Sequence, residues 1–125
     1  MRKRHLSDDA EIILRLAIDT IKEKKGKEIV SLDLKKINTA VTDYFVICHG
    51  TSKTQVDAIA QGVWEKIKSD CGTNPYNKEG FENSEWILLD YVDVVIHIFL
   101  DTTRSFYQLE DLWADAKIST YNDVD

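Results

Sequence analysis

The most apolar stretch of the sequence, residues 86–101, contains four side chains that could do chemistry. Trp86, Asp90, Asp93 and His97 lie among its aliphatic residues. Two carboxylates close together can hold a cation or share a proton, and an imidazole can serve as a general base. Aromatic, acidic and aliphatic side chains also mix on surfaces that bind other proteins. Four hypotheses follow: a catalytic site, a metal site, a partner-binding surface, or structure alone.

The spacing of these residues is unfavourable for catalysis and for metal binding. A general base needs an orienting group and a nucleophile within reach, and His97 has no Ser or Cys near it in the sequence. His5 and His49 do not have the spacing of zinc ligands relative to His97. We expect no catalytic residue, no metal and no cofactor. For Asp90 and Asp93 two interpretations stay open: caps in a turn, or contacts to basic side chains of a partner.

A β-hairpin is the element that would position these side chains. β-Branched residues dominate the stretch, which favours strands over a helix. A two-residue turn at 91–92 would place Asp90 opposite Asp93, and Trp86 opposite His97. One face of this hairpin is wholly aliphatic and is predicted to be core; it consists of Ile87, Leu89, Val94, Ile96 and Ile98. The other face, which we call the mixed face, is the predicted partner-binding surface; it consists of Trp86, Leu88, Asp90, Asp93, Val95, His97 and Phe99.

Two amphipathic helices are predicted outside the hairpin. The first covers 7–25, with Ser7 as its N-cap and Gly26 in a left-handed conformation after its last turn. The second covers 50–70, where Ser52 and a Gln three positions later form a capping box. Its buried stripe is predicted to consist of Val56, Ile59, Ala60, Val63, Trp64 and Ile67.

Further strands are predicted at 28–34 and 43–50, with a short strand or bulge near 75–79. After the hairpin, 103–116 is predicted to form a short helix or a pair of turns. Three apolar residues of this segment are expected to pack on the sheet: Phe106, Leu109 and Trp113. The order of elements predicts a single compact α/β domain in which helices flank a mixed β-sheet.

Length, composition and charge limit the possible functions. The chain has 125 residues, enough for one domain with one core. No secretory signal or bilayer span is evident, and two Cys without disulfide-type spacing favour a reducing cytoplasm. Net charge is +3 over 1–36, zero over 37–78 and −9 over 79–125. A nucleic-acid binder normally has a basic footprint, and here the strong charge is acidic. Two interpretations of the acidic last third stay open: a surface that aids solubility, or one that faces a basic protein partner.

Three motifs of this sequence occur together in a known family. They are TDYFVICHGTSKTQVDAIA at 42–60, W-x-L-L-D-Y-x-D-V-V-x-H-x-F at 86–99 and R-x-x-Y-x-L-E-x-L-W-x-D-A at 104–116. In order and spacing, residues 9–118 resemble the ribosomal silencing factor family, also called RsfS or Iojap-like proteins. One departure is Val92, at a position where many members of that family have Gly.

The resemblance implies an α/β fold similar to nucleotidyltransferases, with a domain over 1–118 and a short acidic tail over 119–125. It implies a translation repressor that binds the large ribosomal subunit at its basic ribosomal protein fourteen and sterically blocks joining of the small subunit. Trp86 would be part of that contact. The resemblance also implies a possible homodimer. We expect neither membrane binding nor direct DNA binding.

The alternative is a nucleotidyltransferase-like enzyme that uses a nucleotide and a divalent metal. The segment HGTS at 49–52 resembles the Gly-Ser turn of such enzymes. They also need Asp-x-Asp or Asp-x-Glu on one strand shortly after that turn, to hold metals at the triphosphate. The next acid here is Asp57, inside the predicted helix, and Asp90 and Asp93 have the wrong spacing for one strand face. A protein that is not an enzyme is the favoured interpretation.

Overall fold

A six-stranded sheet with helices packed on it forms the fold of the chain in a computed structural model. The structure describes residues 2–107, 111, 113 and 115–121, and for 2–8, 106 and 107 it describes the backbone alone. In chain order the described elements are α1 (Arg2–Glu23), β1 (Lys27–Asp33), β2 (Tyr44–Gly50), α2 (Lys53–Cys71), β3 (Asn77–Glu79), β4 (Trp86–Asp90), β5 (Val94–Leu100), α3 (Asp101–Tyr107) and β6 (Lys117–Tyr121).

The strand order in the sheet is β3-β4-β5-β2-β1-β6. The two central strands, β5 and β2, run parallel, and the other neighbouring pairs are antiparallel. The predicted α/β domain with helices on a mixed sheet is confirmed, and β3 confirms the short strand near 75–79. Within the described ranges, no helix has the length and apolar content needed to cross a membrane.

The helix α1 begins and ends differently from the prediction. Its first residue is Arg2, so Ser7 lies inside the helix and is not its N-cap. The residues before Ser7 include no helix breaker, which lets the helix extend. At the other end the left-handed residue is Lys25, with φ 69°, and not Gly26. Close packing instead requires Gly26, because a Cβ there would overlap the Cγ2 atom of Ile21.

The helix α2 agrees closely with the prediction. Ser52 Oγ accepts the backbone N–H of Gln55 at 3.1 Å, which confirms the N-cap. Gly72 ends the helix in the left-handed region, at φ 67°. Most of the predicted stripe is buried, namely Val56, Ile59, Ala60, Val63 and Ile67. Trp64 is only half-buried, and the Nζ atom of Lys78 lies over its ring, 4.3 Å from the centroid.

After α3 the chain returns to the sheet, which the sequence did not predict. β6 pairs antiparallel with β1 and places Ser119 opposite Ser31. Residues 119–121 therefore belong to the sheet, which extends past the predicted domain boundary at 118. Residues 122–125 lie outside the described part of the chain.

The helix α3 forms the first part of the segment 103–116, which was predicted as a helix or turns. Of its three apolar residues expected on the sheet, Trp113 is described. Its ring lies 5.9 Å from the ring of Phe45 in an edge-to-face arrangement, so it does pack on the sheet. The side chain of Phe106 and the whole of Leu109 lie outside the described residues.

The two faces of the sheet have separate cores. The face under α1 and α2, which we call the helix-covered face, contributes mostly aliphatic strand residues: Ile29, Val46, Cys48, Ile87, Leu89, Val94, Ile96 and Ile98. The opposite face has a smaller core, which consists of Leu32, Leu34, Ile47 and Phe99. Phe45, Trp86 and Trp113 are partly buried against this second core. The mixed face of the hairpin is part of the opposite face.

Candidate partner-binding surface

The hairpin that positions the mixed face has a register two residues away from the predicted one. Trp86 lies opposite Phe99, and not opposite His97 as predicted. The predicted opposition of Asp90 and Asp93 is wrong as well. A shift of two residues moves no side chain to the other face, because side chains alternate along a strand. The predicted division into an aliphatic face and a mixed face is therefore confirmed, and the aliphatic residues are buried on the helix-covered face.

The turn of the hairpin lies one residue further along the chain than predicted. The Tyr91 N–H donates to the Val94 carbonyl at 2.8 Å, which closes the turn around Val92 and Asp93. The Asp93 carbonyl accepts the N–H groups of residues 43–44 at 3.1 and 3.0 Å. These bonds attach Asp93 to the start of β2, so it cannot take a place in the ladder between β4 and β5.

The two carboxylates of the mixed face have separate environments. Asp90 Oδ1 accepts the Val92 N–H at 2.8 Å, so Asp90 caps the turn, which was one of the two open interpretations. Burial, and to a smaller extent the Asp43 carboxylate, raise the pKa of Asp93 above its ordinary value. Among the residues that the structure describes, no three His, Cys, Asp or Glu side chains are grouped so as to hold a metal ion.

Trp86 and His97 form a hydrogen-bonded pair. The indole Nε1–H donates to His97 Nδ1 at 3.0 Å, diagonally across the hairpin. Because Nδ1 accepts, the proton of the neutral imidazole is on Nε2, which has no hydrogen-bond partner among the described residues. His97 is only 4 % exposed, and burial lowers its pKa to about 4. Near pH 7 it is a neutral acceptor that orients the indole of Trp86.

Four of the seven predicted contact residues are accessible at the surface. They are all half-buried: Trp86, Leu88, Asp90 and Asp93. The other three are buried: Val95, His97 and Phe99. Phe99 is 0 % exposed and belongs to the second core, and its ring lies 4.8 Å from the ring of Trp86. A wide exposed apolar patch that includes Val95 and Phe99 is therefore not present. Two of the buried residues, His97 and Phe99, contact the ring of Trp86.

A side chain of the protein itself fills the turn at 49–52, which resembles the Gly-Ser turn of nucleotidyltransferases. Gln55 Oε1 accepts the Thr51 N–H at 2.8 Å, and Gln55 Nε2 donates to the Lys25 carbonyl at 3.1 Å. A Cβ on Gly50 would lie 3.0 Å from Gln55 Oε1. The Gln55 amide thus occupies the position where a phosphate oxygen would accept an N–H group at the start of a helix.

Arg104 is a buried cation that the sequence did not single out. Its Nη1 donates to the Glu28 carbonyl at 2.8 Å and lies 3.0 Å from His49 Nδ1. Arg104 therefore connects α3 to the start of β1 and to the end of β2. It is one of two basic residues within 79–125, and this rarity is the sequence signal that could have identified it.

Known proteins are similar to this chain in sequence and in fold. The family profile described as "Ribosomal silencing factor during starvation" matches residues 7–125. The chain belongs to this family. The ribosomal silencing factor RsfS of Halalkalibacterium halodurans is 40 % identical over 104 residues, which are 83 % of this chain and 87 % of that protein. The RsfS of Bacillus subtilis is 40 % identical over 107 residues, 86 % of this chain and 89 % of that protein.

A more distant relative and a solved structure are also similar to this chain. A mouse protein named mitochondrial assembly of ribosomal large subunit protein 1 is 30 % identical over 106 residues, 83 % of this chain and 46 % of that protein. The crystal structure of a Chromobacterium violaceum protein superposes with a TM-score of 0.79 at 37 % identity, over 90 % of this chain and 92 % of that one. The family predicted from three motifs is therefore confirmed, together with its α/β fold.

Proposed function

We propose that this member of the RsfS family represses translation in the cytoplasm. It binds the large ribosomal subunit through ribosomal protein fourteen and sterically blocks joining of the small subunit, without catalysis. The observation that carries the proposal is the Trp86–His97 pair in the accessible part of the mixed face. The family description, which names silencing during starvation, supports a repressor, and the name of the mouse relative, which refers to the ribosomal large subunit, supports the partner.

Trp86 has the properties of an interface anchor. Its indole is held by the hydrogen bond to His97 and packs on the ring of Phe99, so its conformation is set before a partner arrives. A side chain that is ordered in advance loses little conformational freedom on binding. Trp is also among the residues most often found as interface hot spots. Trp86 would insert between apolar side chains of the ribosomal protein.

Charge favours a basic partner over nucleic acid. Residues 79–125 carry a net charge of −9, and Asp90 and Asp93 place two carboxylates on the accessible part of the mixed face. Ribosomal proteins are generally basic, so the two surfaces would attract each other. Attraction of this kind mainly raises the association rate and weakens as salt screens it.

The Gly50 turn supports a binding role over the nucleotidyltransferase-like alternative. Gln55 would have to leave its hydrogen bonds to Thr51 and Lys25 before a triphosphate could approach the start of α2. We expect no heat of binding when the protein is titrated with ATP or CTP in the presence of Mg²⁺. Micromolar binding of either nucleotide would favour the enzyme.

Co-sedimentation of the protein with purified large ribosomal subunits tests the proposal. Trp86→Ala is expected to weaken binding by about 30-fold or more, since truncating an interface Trp costs about 2–4 kcal/mol. Asp90→Asn keeps an acceptor for the Val92 N–H but removes a charge, so it should weaken binding less and reduce its salt dependence. Mass spectrometry of chemically cross-linked complexes would identify the ribosomal protein that is contacted.

Trp64→Ala is the matched control, because Trp64 is also half-buried but lies on α2. It should leave binding unchanged. Thermal melting of each variant shows whether it is folded, since Trp86→Ala also leaves buried His97 without its donor, which costs about 1–3 kcal/mol. Wild-type binding by a folded Trp86→Ala variant would contradict the proposal.

The homodimer is proposed on the family resemblance alone. The burial of Val95 and Phe99 leaves a smaller apolar area for self-association than the whole mixed face would offer. Light scattering of the free protein over a range of concentrations is the test, and a constant monomer mass would exclude the dimer.

A further inference from the structure

Three segments that each carry an exposed apolar residue lie at one end of the sheet, at the opposite end of β4 from Trp86. We call these residues the apolar row: Tyr76 is 81 % exposed, Val92 is 55 % exposed and Val41 is 94 % exposed. Tyr76 precedes β3, Val92 is in the turn from β4 to β5, and Val41 is in the loop before β2. These strands are adjacent in the order β3-β4-β5-β2, so the row spans roughly 14 Å at about 4.8 Å per strand.

Hydrogen bonds fix the three segments of the apolar row relative to one another. The Thr42 hydroxyl donates to the Val92 carbonyl at 2.8 Å, which joins the loop before β2 to the hairpin turn. The Tyr76 N–H donates to the Asp90 carbonyl at 2.7 Å, which joins the start of β3 to the end of β4. The three segments therefore hold fixed positions relative to one another.

The backbone at Val92 is strained. Its φ is 76°, and the Asp93 N–H donates to the Tyr91 carbonyl at 2.9 Å, so three residues form a tight turn. A β-branched residue rarely adopts a positive φ, and folding alone would favour Gly here. Val92 is 55 % exposed and belongs to neither hydrophobic core, so core packing does not offset the strain. Strain of this kind is more often kept where it serves binding.

Three carboxylates flank the apolar row, from Asp43, Asp90 and Asp93. Within the described part of the chain none of them is in an ion pair. Burial and the Asp43 carboxylate raise the pKa of Asp93, so the charged form of Asp93 is disfavoured in the free protein. A guanidinium or ammonium group between the carboxylates would reverse that effect. The chemistry of the surface thus matches basic side chains that accompany apolar ones.

We propose that the apolar row and its three carboxylates form a second docking surface, for a ribosomal protein surface that presents Arg or Lys beside apolar side chains. This inference rests on the proposed function and extends it. The row lies roughly 15 Å from Trp86 at about 3.3 Å per strand residue, a distance that one interface of about 800 Å² per partner covers. A single basic partner can contact Trp86 at one end of β4 and the row at the other.

Val41→Lys tests the proposal, because Val41 is too exposed for the change to affect folding. The variant removes an apolar contact and adds a charge that repels a basic partner. We expect its affinity for purified large subunits, measured by fluorescence anisotropy of labelled protein, to fall about 10-fold. Ile12→Lys is the matched control: it puts the same charge on an exposed aliphatic position of α1 and should change affinity less than about 2-fold.

Tyr76→Ala, at the other end of the row, should also weaken binding without changing the melting temperature. Wild-type affinity in both Val41→Lys and Tyr76→Ala would overturn the second surface and leave the Trp86 proposal standing. Tighter binding by Val41→Lys would overturn it as well, because an added cation strengthens a contact to RNA phosphates. No binding by the wild-type protein would overturn the proposed function and, with it, the partner assigned to the row.

Discussion

Leu88 and Leu89 are neighbours on β4 but lie on the two different faces of the sheet. Leu89 is fully buried on the helix-covered face, among aliphatic side chains from α1, α2 and the strands. Leu88 is half-buried on the mixed face, on the same side of β4 as Trp86 and Asp90. Side chains one residue apart thus have different roles, because a strand directs them to opposite faces.

The two faces also differ in the polar groups that they bury. The helix-covered face around the hairpin is filled mainly by aliphatic groups, with one polar exception, the buried hydroxyl of Tyr91, which has no partner among the described residues. The mixed face keeps a buried polar group, His97, with one ring nitrogen bonded to Trp86 and the other without a partner among the described residues. Burying a polar group costs stability. That cost is understandable if His97 holds Trp86 for a partner.

Leu89→Ala against Leu88→Ala is the strongest test of this comparison. Leu89→Ala should reduce the free energy of unfolding by about 2–5 kcal/mol, because it leaves a cavity in a closed core. Leu88→Ala should cost about 1 kcal/mol or less, since solvent already reaches the side chain. Urea denaturation of both variants measures the two values. Equal losses would mean that the mixed face is as closed as the helix-covered face.

An intermediate effect on the free energy of unfolding is expected when the pH is lowered from 7 toward the pKa of His97. Its pKa is lowered to about 4 from an ordinary value of about 6.5, so between these pH values the unfolded chain binds a proton that the folded chain does not. The contribution of His97 to stability is therefore fully present above pH 6.5 and is lost as the pH drops toward 4, by up to about 1.4 kcal/mol per pH unit. Denaturation at several pH values between 7 and 4.5 measures this slope.

His97→Asn is the control for that slope, because an Asn oxygen can still accept the Trp86 N–H but does not titrate. The variant should lose less stability on acidification than the wild type. Asp93 affects the pH dependence in the direction opposite to His97, and it does so in both proteins. Its pKa is raised in the folded state, so it binds its proton more readily there and favours folding at lower pH. Identical slopes in both proteins would show that His97 is not neutral and buried.

The smallest effect is expected at Val92, in the turn that joins β4 to β5. Val92→Gly should raise the free energy of unfolding by about 0.5–1 kcal/mol, because relief of the positive φ exceeds the entropy that Gly adds to the unfolded chain. Val41→Ala, at an exposed valine without a positive φ, should change stability by less than about 0.5 kcal/mol. A loss of stability in Val92→Gly would mean that the valine side chain packs usefully.

Features that depend on nearby residues were predicted well. The N-cap at Ser52 and the stripe along α2 follow from side chains three and four positions apart. The second half of the predicted capping box differs, because Gln55 Oε1 accepts the N–H of Thr51 and not that of Ser52. The division of the hairpin into two faces was also correct, even though its register was wrong by two residues, because only an odd shift exchanges the faces. Trp64 was predicted to be buried with the stripe but is half-buried. Its ring contacts Lys78 and Phe81, which come from another segment, so the spacing along α2 does not determine how much of the ring is exposed.

Residue patterns were enough to predict the α/β class, the faces of the hairpin, the acidic last third and the family. These depend on composition, on motifs and on spacing within a few residues. The register and the accessible part of the mixed face depend instead on long-range contacts. Asp93 is held in the turn by the N–H groups of 43–44, and Phe99 is buried by Leu32, Leu34 and Ile47. Such contacts join residues that are about 50 or more positions apart, which no local pattern encodes.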